Sequence, residues 1–101
     1  MTLLHIVNKS PSQTRTLDSC LRLAQAGHAL LLIEDGVYAA TTRSPAVAAL
    51  NDAIKRLKVY ALQPDLEARG VLGAVLDGVT LVDYSGFVDL VAEHAASQSW
   101  L

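Results

Sequence analysis

The chain is poor in charge, holds one cysteine and lacks a cationic field, and each scarcity closes off a class of function. Charged side chains make up 18% of its 101 residues, below the roughly 25% usual for soluble domains. Set against an apolar fraction of 51%, that shortfall implies an outer surface partly covered by other subunits. Eight basic and ten acidic side chains leave a net charge of −2, so no basic surface is available to hold nucleic acid directly through its phosphates. A single cysteine, Cys20, excludes an internal disulfide and with it a secreted disulfide scaffold. No apolar run approaches the ~20 residues of a membrane span. The opening run Leu3–Val7 is too short for a signal segment with its cleavage site, so the expected compartment is the cytoplasm. Walker, G-x-G-x-x-G and G-x-S-x-G patterns are all missing, and no cofactor is expected.

What is present is an alternation of strand and helix signals across residues 1–101, a length that fits one domain. Leu3–Val7 and Ala29–Ile33 are continuous apolar runs, the pattern of strands buried on both faces of a parallel sheet. Lys58–Leu62 and Val79–Val82 supply a third and a fourth strand, and the tail from Ser97 to Leu101 reads as a short edge strand or docked arm. Between them, Ser10 with Gln13 has capping-box spacing and Pro11 stands at a first helical position, predicting a helix from Pro11 to Ala26. Its apolar stripe is Leu17, Cys20, Leu21 and Ala24, with Gly27 as the stop. Asp35 is expected to cap a short helix from Gly36 to about Thr41. Ser44-Pro45 opens another helix with Val47, Leu50, Ile54 and Leu57 inward. Pro64–Arg69 is a short helix stopped by Gly70, and Asp83 starts a last helix with Phe87, Leu90, Val91 and His94 on one face. The fold class is therefore α/β, a small three-layer, mainly parallel sheet of four to five strands flanked by helices.

Candidate chemistry is thin. His5, His28 and His94 are scattered without metal-ligand spacing, so no metal is expected. The loop Asn8–Thr14 joins a first strand to a helix start, where doubly wound folds bind phosphate; a flavodoxin-like flavin or phosphate module is one reading. Pro11 removes a donor there and the loop lacks glycine, which favours a plain capped helix. Glu34 and Asp35 leave the second strand as adjacent carboxylates, but adjacent residues point apart and are poorly placed for joint acid–base work. Cys20 is the sole residue able to carry sulfur. Its helical neighbours Thr16, Leu17, Leu23 and Ala24 include no cation to favour a thiolate, and it lies within the apolar stripe, where cysteine packs as a small hydrophobe. An independent sulfurtransferase acting through Cys20 is a further reading.

Several segments together resemble one family. Leu4-His5 with Asn8-Lys9-Ser10-Pro11, the run from Leu31 to Ala40, Lys58–Leu62 with Pro64–Gly70, Val82–Val88 and the ending Gln98-Ser99-Trp100 look like the TusB/DsrH family, in that family's order. The resemblance implies a DsrE-like α/β fold with flavodoxin-like layering. It also implies a cytoplasmic heterohexamer, with two copies each of three related subunits, that relays persulfide sulfur. The implied partners are DsrE/TusD-like and DsrF/TusC-like subunits, with a DsrC/TusE-like protein exchanging sulfur with the complex. One branch serves intracellular sulfur oxidation, the other 2-thiolation of the tRNA wobble uridine. The setting of Cys20 in Leu17–Leu21 and the Glu34–Tyr38 wording resemble the DsrH branch more closely. In both branches the principal sulfur-bearing cysteine belongs to the DsrE/TusD-type partner, which leaves Cys20 as an auxiliary sulfur site.

Overall fold

The computed structural model describes residues 2–100. Five strands form one sheet: β1 (Leu3–Val7), β2 (Ala29–Leu32), β3 (Lys58–Leu62), β4 (Thr80–Val82) and β5 (Ala96–Trp100). Their order is β4-β3-β2-β1-β5, and every pairing is parallel. Four α-helices accompany them: α1 (Thr16–Leu23), α2 (Val47–Ile54), α3 (Gln63–Ala68) and α4 (Tyr84–Glu93). A 3₁₀ segment, Glu34–Ala40, follows β2. Leu101, which the sequence reading attached to the tail, lies outside the described residues.

The two sheet faces follow from side-chain alternation along the strands. Val7, Leu30, Leu32, Val59 and Ala61 join Leu17, Cys20 and Leu21 of α1, Leu50 of α2 and Leu66 of α3 in the larger core. The opposite face, Leu4, Ile6, Ala29 and Leu31, packs against Leu90 and Phe87 of α4. The chain steps from β1 to β4 in one direction, then returns to place β5 beside β1. Crossovers between parallel strands are right-handed, so reversing the direction of travel puts α4 alone on the second face.

Several local expectations change. The first helix starts at Thr16, not Pro11. Ser10 closes one turn only, its carbonyl accepting from the N–H groups of Gln13 and Thr14, while its hydroxyl accepts from Ser12 N–H at 3.3 Å. The helix ends at Leu23 because Ala24 is extended, and the Arg56 guanidinium takes the carbonyls of Leu21 and Ala24 at 2.8 and 2.7 Å. That cation at a helix C-terminus satisfies carbonyls the helix itself leaves open. Asp35 does not cap a helix. It lies inside the 3₁₀ segment, and its Oδ1 accepts from Arg69 Nε at 2.9 Å. Val91 turns outward, 42% exposed; it sits at the margin of the inward stripe, and no second helix closes over its flank. Asp83 does cap α4, accepting from Gly86 N–H at 2.8 Å.

The 3₁₀ segment lies directly on the end of β1. The Val7 carbonyl accepts from Ile33 N–H at 3.1 Å, and a methyl group on Gly36 would overlap that same oxygen. Only glycine permits so close an approach of two main chains. Gly36→Ala is therefore expected to destabilise the fold by about 1–3 kcal/mol, read as a lowered urea midpoint with unchanged slope.

Candidate functional site

The carboxyl edge of a parallel sheet is where α/β folds place ligands, and a cavity of about 850 Å³ opens there. One wall is the loop after β1, Ser10 to Gln13; the others are Asp35 and Tyr38, the stretch Thr41–Pro45, and Gly70, Val71 and Gly73–Val75. Main-chain bonds tie the latter two walls together, with Thr42 N–H on the Ala74 carbonyl and Leu76 N–H on that of Ala40, each at 2.8 Å.

The loop after β1 offers no phosphate cradle. Its Ser12, Gln13 and Thr14 N–H groups are all spent within the loop, Pro11 has none, and α1 begins only at Thr16. A nest of free, convergent donors is what a phosphate needs, and these donors are turned inward.

Beyond β2 the two adjacent carboxylates part company, as their positions on the chain suggested. Glu34 is exposed and adopts φ 50°, a left-handed conformation costing about 1 kcal/mol or more for a non-glycine residue. Its N–H donates to Asp65 Oδ2 at 2.6 Å, which offsets part of that cost. Asp35 pairs instead with Arg69, whose Nη1 also donates to the Asp65 carbonyl at 3.4 Å. Arg69 and Asp65, both on or just beyond α3, thus clamp the exit of β2. Nothing in the sequence around residue 35 points to them, because the partner lies 34 residues away.

Cys20 is nowhere near this edge. It is fully buried in the larger core. Burial pushes its thiol up to about 12, only partly opposed by the positive charge of Arg56. That cation was invisible to the helical neighbour pattern, since it comes from the loop after α2. The cavity therefore has hydroxyls and the cation of Arg43 among its lining residues but no thiol, and Cys20 is buried in the core away from it.

The histidines also rearrange. His94 Nδ1 donates to the Leu90 carbonyl at 2.7 Å, a structural role. His5 and His28, 23 residues apart, meet at 3.2 Å between His5 Nε2 and His28 Nδ1. Trp100 Nε1–H donates to His5 Nδ1 at 3.1 Å. Among the described residues no group of three or more His, Cys, Asp or Glu could hold a metal.

Residues 9–97 match the family described as DsrH like protein. The chain is 40% identical to the protein TusB of Serratia proteamaculans, over 97% of this chain and all of that one. It is 39% identical to the protein TusB of Escherichia coli over the same shares. Among solved structures, the ychN protein of Escherichia coli superposes with a TM-score of 0.81 at 15% identity, covering 98% of both chains. A protein of unknown function from Methanobacterium thermoautotrophicum gives 0.76 at 20% identity, covering 97% of this chain and 96% of that one. At those identities the structures speak for the fold alone, and they place the five-stranded parallel sheet among known α/β folds. Full-length identity near 40% and a family match over nearly the whole sequence go further: the chain belongs to the TusB/DsrH family of sulfur-relay subunits.

Proposed function

We propose that this protein is a structural and docking subunit of a cytoplasmic heterohexameric persulfide relay, completed by DsrE/TusD-like and DsrF/TusC-like subunits. The observation that carries this reading is the outer face of α4. Tyr84, Val88 and Val91 follow one another at i, i+4 and i+7, and are 61%, 67% and 42% exposed. A helix whose inward face already packs on the sheet through Phe87 and Leu90 has no use for a second apolar stripe within one chain. The proposed occupant of that stripe is a related α/β subunit of the same complex, whose apolar surface would match an uncharged face.

In this proposal the sulfur passes over cysteines of the partners, with a DsrC/TusE-like protein as exchange partner, while Cys20 packs the core. A persulfide carrier needs a reachable thiolate, and Cys20 meets neither condition in this fold. For the branch, likeness of 38–40% to TusB chains across 97% of the sequence supports delivery towards tRNA wobble uridine 2-thiolation. The match to the DsrH like family and the presence of Cys20 favour the second reading, a DsrEFH-type complex in sulfur oxidation.

Three measurements test this. The rise of the Cys20 thiol from 9.0 to about 12 cuts its thiolate fraction about a thousandfold, so iodoacetamide near neutral pH should label it only after unfolding; rapid labelling of the native chain would restore it as a carrier. Val88→Glu with Val91→Glu should leave stability within about 0.5 kcal/mol, since both sites are exposed, yet abolish co-purification with the partner subunits from the native cell. Undiminished co-purification would overturn the docking face. Finally, deletion of the gene should deplete 2-thiouridine in tRNA, measured by mass spectrometry of nucleosides. Intact thiolation with lost sulfur oxidation would assign the DsrEFH-type branch instead.

A further inference from the structure

Two fixed donors dictate the protons of the buried histidine pair. An indole N–H can only donate, so His5 Nδ1, facing Trp100 Nε1 at 3.1 Å, must be the acceptor and the His5 proton must sit on Nε2. That proton points at His28 Nδ1 at 3.2 Å. His28 Nδ1 also faces the Gln25 main-chain N–H at 3.4 Å, so it too is an acceptor. The chain of bonds runs from Trp100 through His5 to His28 with every proton placed and both rings neutral. The imidazoles are 2% and 7% exposed.

We propose that Trp100, His5 and His28 form a proton-sensitive latch, in which one added proton breaks the indole bond and loosens β5 at the sheet edge. A proton added to His5 goes to Nδ1 and confronts the Trp100 N–H with a second donor. A proton added to His28 goes to Nδ1, where it opposes the Gln25 N–H. It can bond only to His5 Nε2, which drives the His5 proton to Nδ1 and again displaces Trp100. Either protonation therefore sets donor against donor within the chain, directly at the indole when His5 takes the proton. Beyond its five-residue ladder with β1 and the packing of Trp100 on the larger core, the strand has little to hold it: Ala96 to Ser99 are exposed, and among the described residues β5 pairs along one side only.

On the α1 side of this core the buried titratable group is the Cys20 thiol, uncharged at neutral pH, while Asp18 and Arg22 of the same helix are exposed. The nearby cation, Arg56, is engaged with the Leu21 and Ala24 carbonyls. Among the described residues no carboxylate forms an ion pair with either ring. Burial, and then the neighbouring His28, hold His5 below its ordinary 6.5. The unfolded or detached form thus takes up the proton first. The latch is at full strength above about pH 6.5, weakens as the pH falls below that value, and is lost once native His5 itself is protonated. It is a property of this chain alone and independent of the partners proposed above.

Hydrogen exchange on the full chain tests it, with protection at Ser97–Trp100 compared with that at Ala29–Leu32 after correction for intrinsic rates. Between about pH 7.5 and about pH 5, protection in β5 should fall about tenfold more than in β2. Trp100→Phe keeps the ring and removes the donor, and His5→Gln keeps an acceptor that does not titrate; in each, the difference between the strands should vanish. Equal loss of protection in β5 and β2, or a differential acid response that persists in either variant, overturns the latch. Should one variant fail to fold, the other decides.

Discussion

A right-handed crossover is the constraint on which the rest of this molecule depends. Three steps in one direction stack α1, α2 and α3 on a single face of the sheet, and the return from β4 to the far side of β1 sends α4 to the other. One helix of ten residues then has to cover what three helices and a 3₁₀ segment cover opposite. Phe87 and Leu90 accomplish this over the centre of the sheet, with Leu4, Ile6, Ala29 and Leu31 beneath. The same helix carries Tyr84, Val88 and Val91 outward, so the thinly covered side of the fold is also its greasiest. A chain with few charges reaches that state without any break in its own core, and among the described residues three of the five exposed large apolar side chains lie on α4, the others being Leu23 and Leu81. In the proposed assembly, this exposed flank of α4 is the surface left for a neighbouring subunit.

The separation of thiol from cavity has the same origin. Cys20 belongs to the stripe that α1 presents to the sheet, and Arg56 reaches across to seal the end of that helix. The cavity forms at the opposite concern of the fold, the carboxyl ends of the strands, where the loop after β1 folds its donors inward and Arg69 with Asp65 fixes the exit of β2. The buried thiol and the hydroxyl-lined cavity thus stand apart in the fold. Hydroxyl-bearing walls of this size can still receive a segment of a neighbouring protein, which is compatible with a role in docking.

Strands and inward stripes were legible in the sequence because burial on both faces leaves continuous apolar runs; β1 spans its run, and β3 spans Val59–Leu62 with the exposed Lys58 before it. Leu17, Cys20, Leu21 and Ala24 are buried as their spacing requires. Helix starts were less legible. Ser10, Pro11 and Gln13 satisfy the local chemistry of a capped helix, yet the same hydrogen bonds close an isolated turn, and nothing within four residues distinguishes the two. The partners of Asp35, Cys20 and His5 could not be read at all, since Arg69, Arg56 and His28 come from other elements and only the fold supplies the meeting. Val91 shows the remaining limit: helical periodicity places it near the inward stripe, but how far a layer extends decides whether a marginal residue is covered.

Polar groups inside the sheet ask for a separate reason. A leucine at position 5 would fit the apolar pattern of β1 and would need no partner, whereas a buried imidazole costs stability unless both nitrogens are satisfied. Here both are, but only because the last described residue of the chain, Trp100, returns to lie against the first strand. Satisfying His5 thus requires that β5 dock in one register: a shift of one residue would turn the indole to the other face and leave His5 Nδ1 without a donor. The edge strand has scarcely any apolar burial to specify that register, and the polar chain supplies it. The histidine pair consequently links the two ends of the polypeptide more specifically than an apolar contact of equal size could, because hydrogen bonds discriminate direction and hydrophobic burial does not.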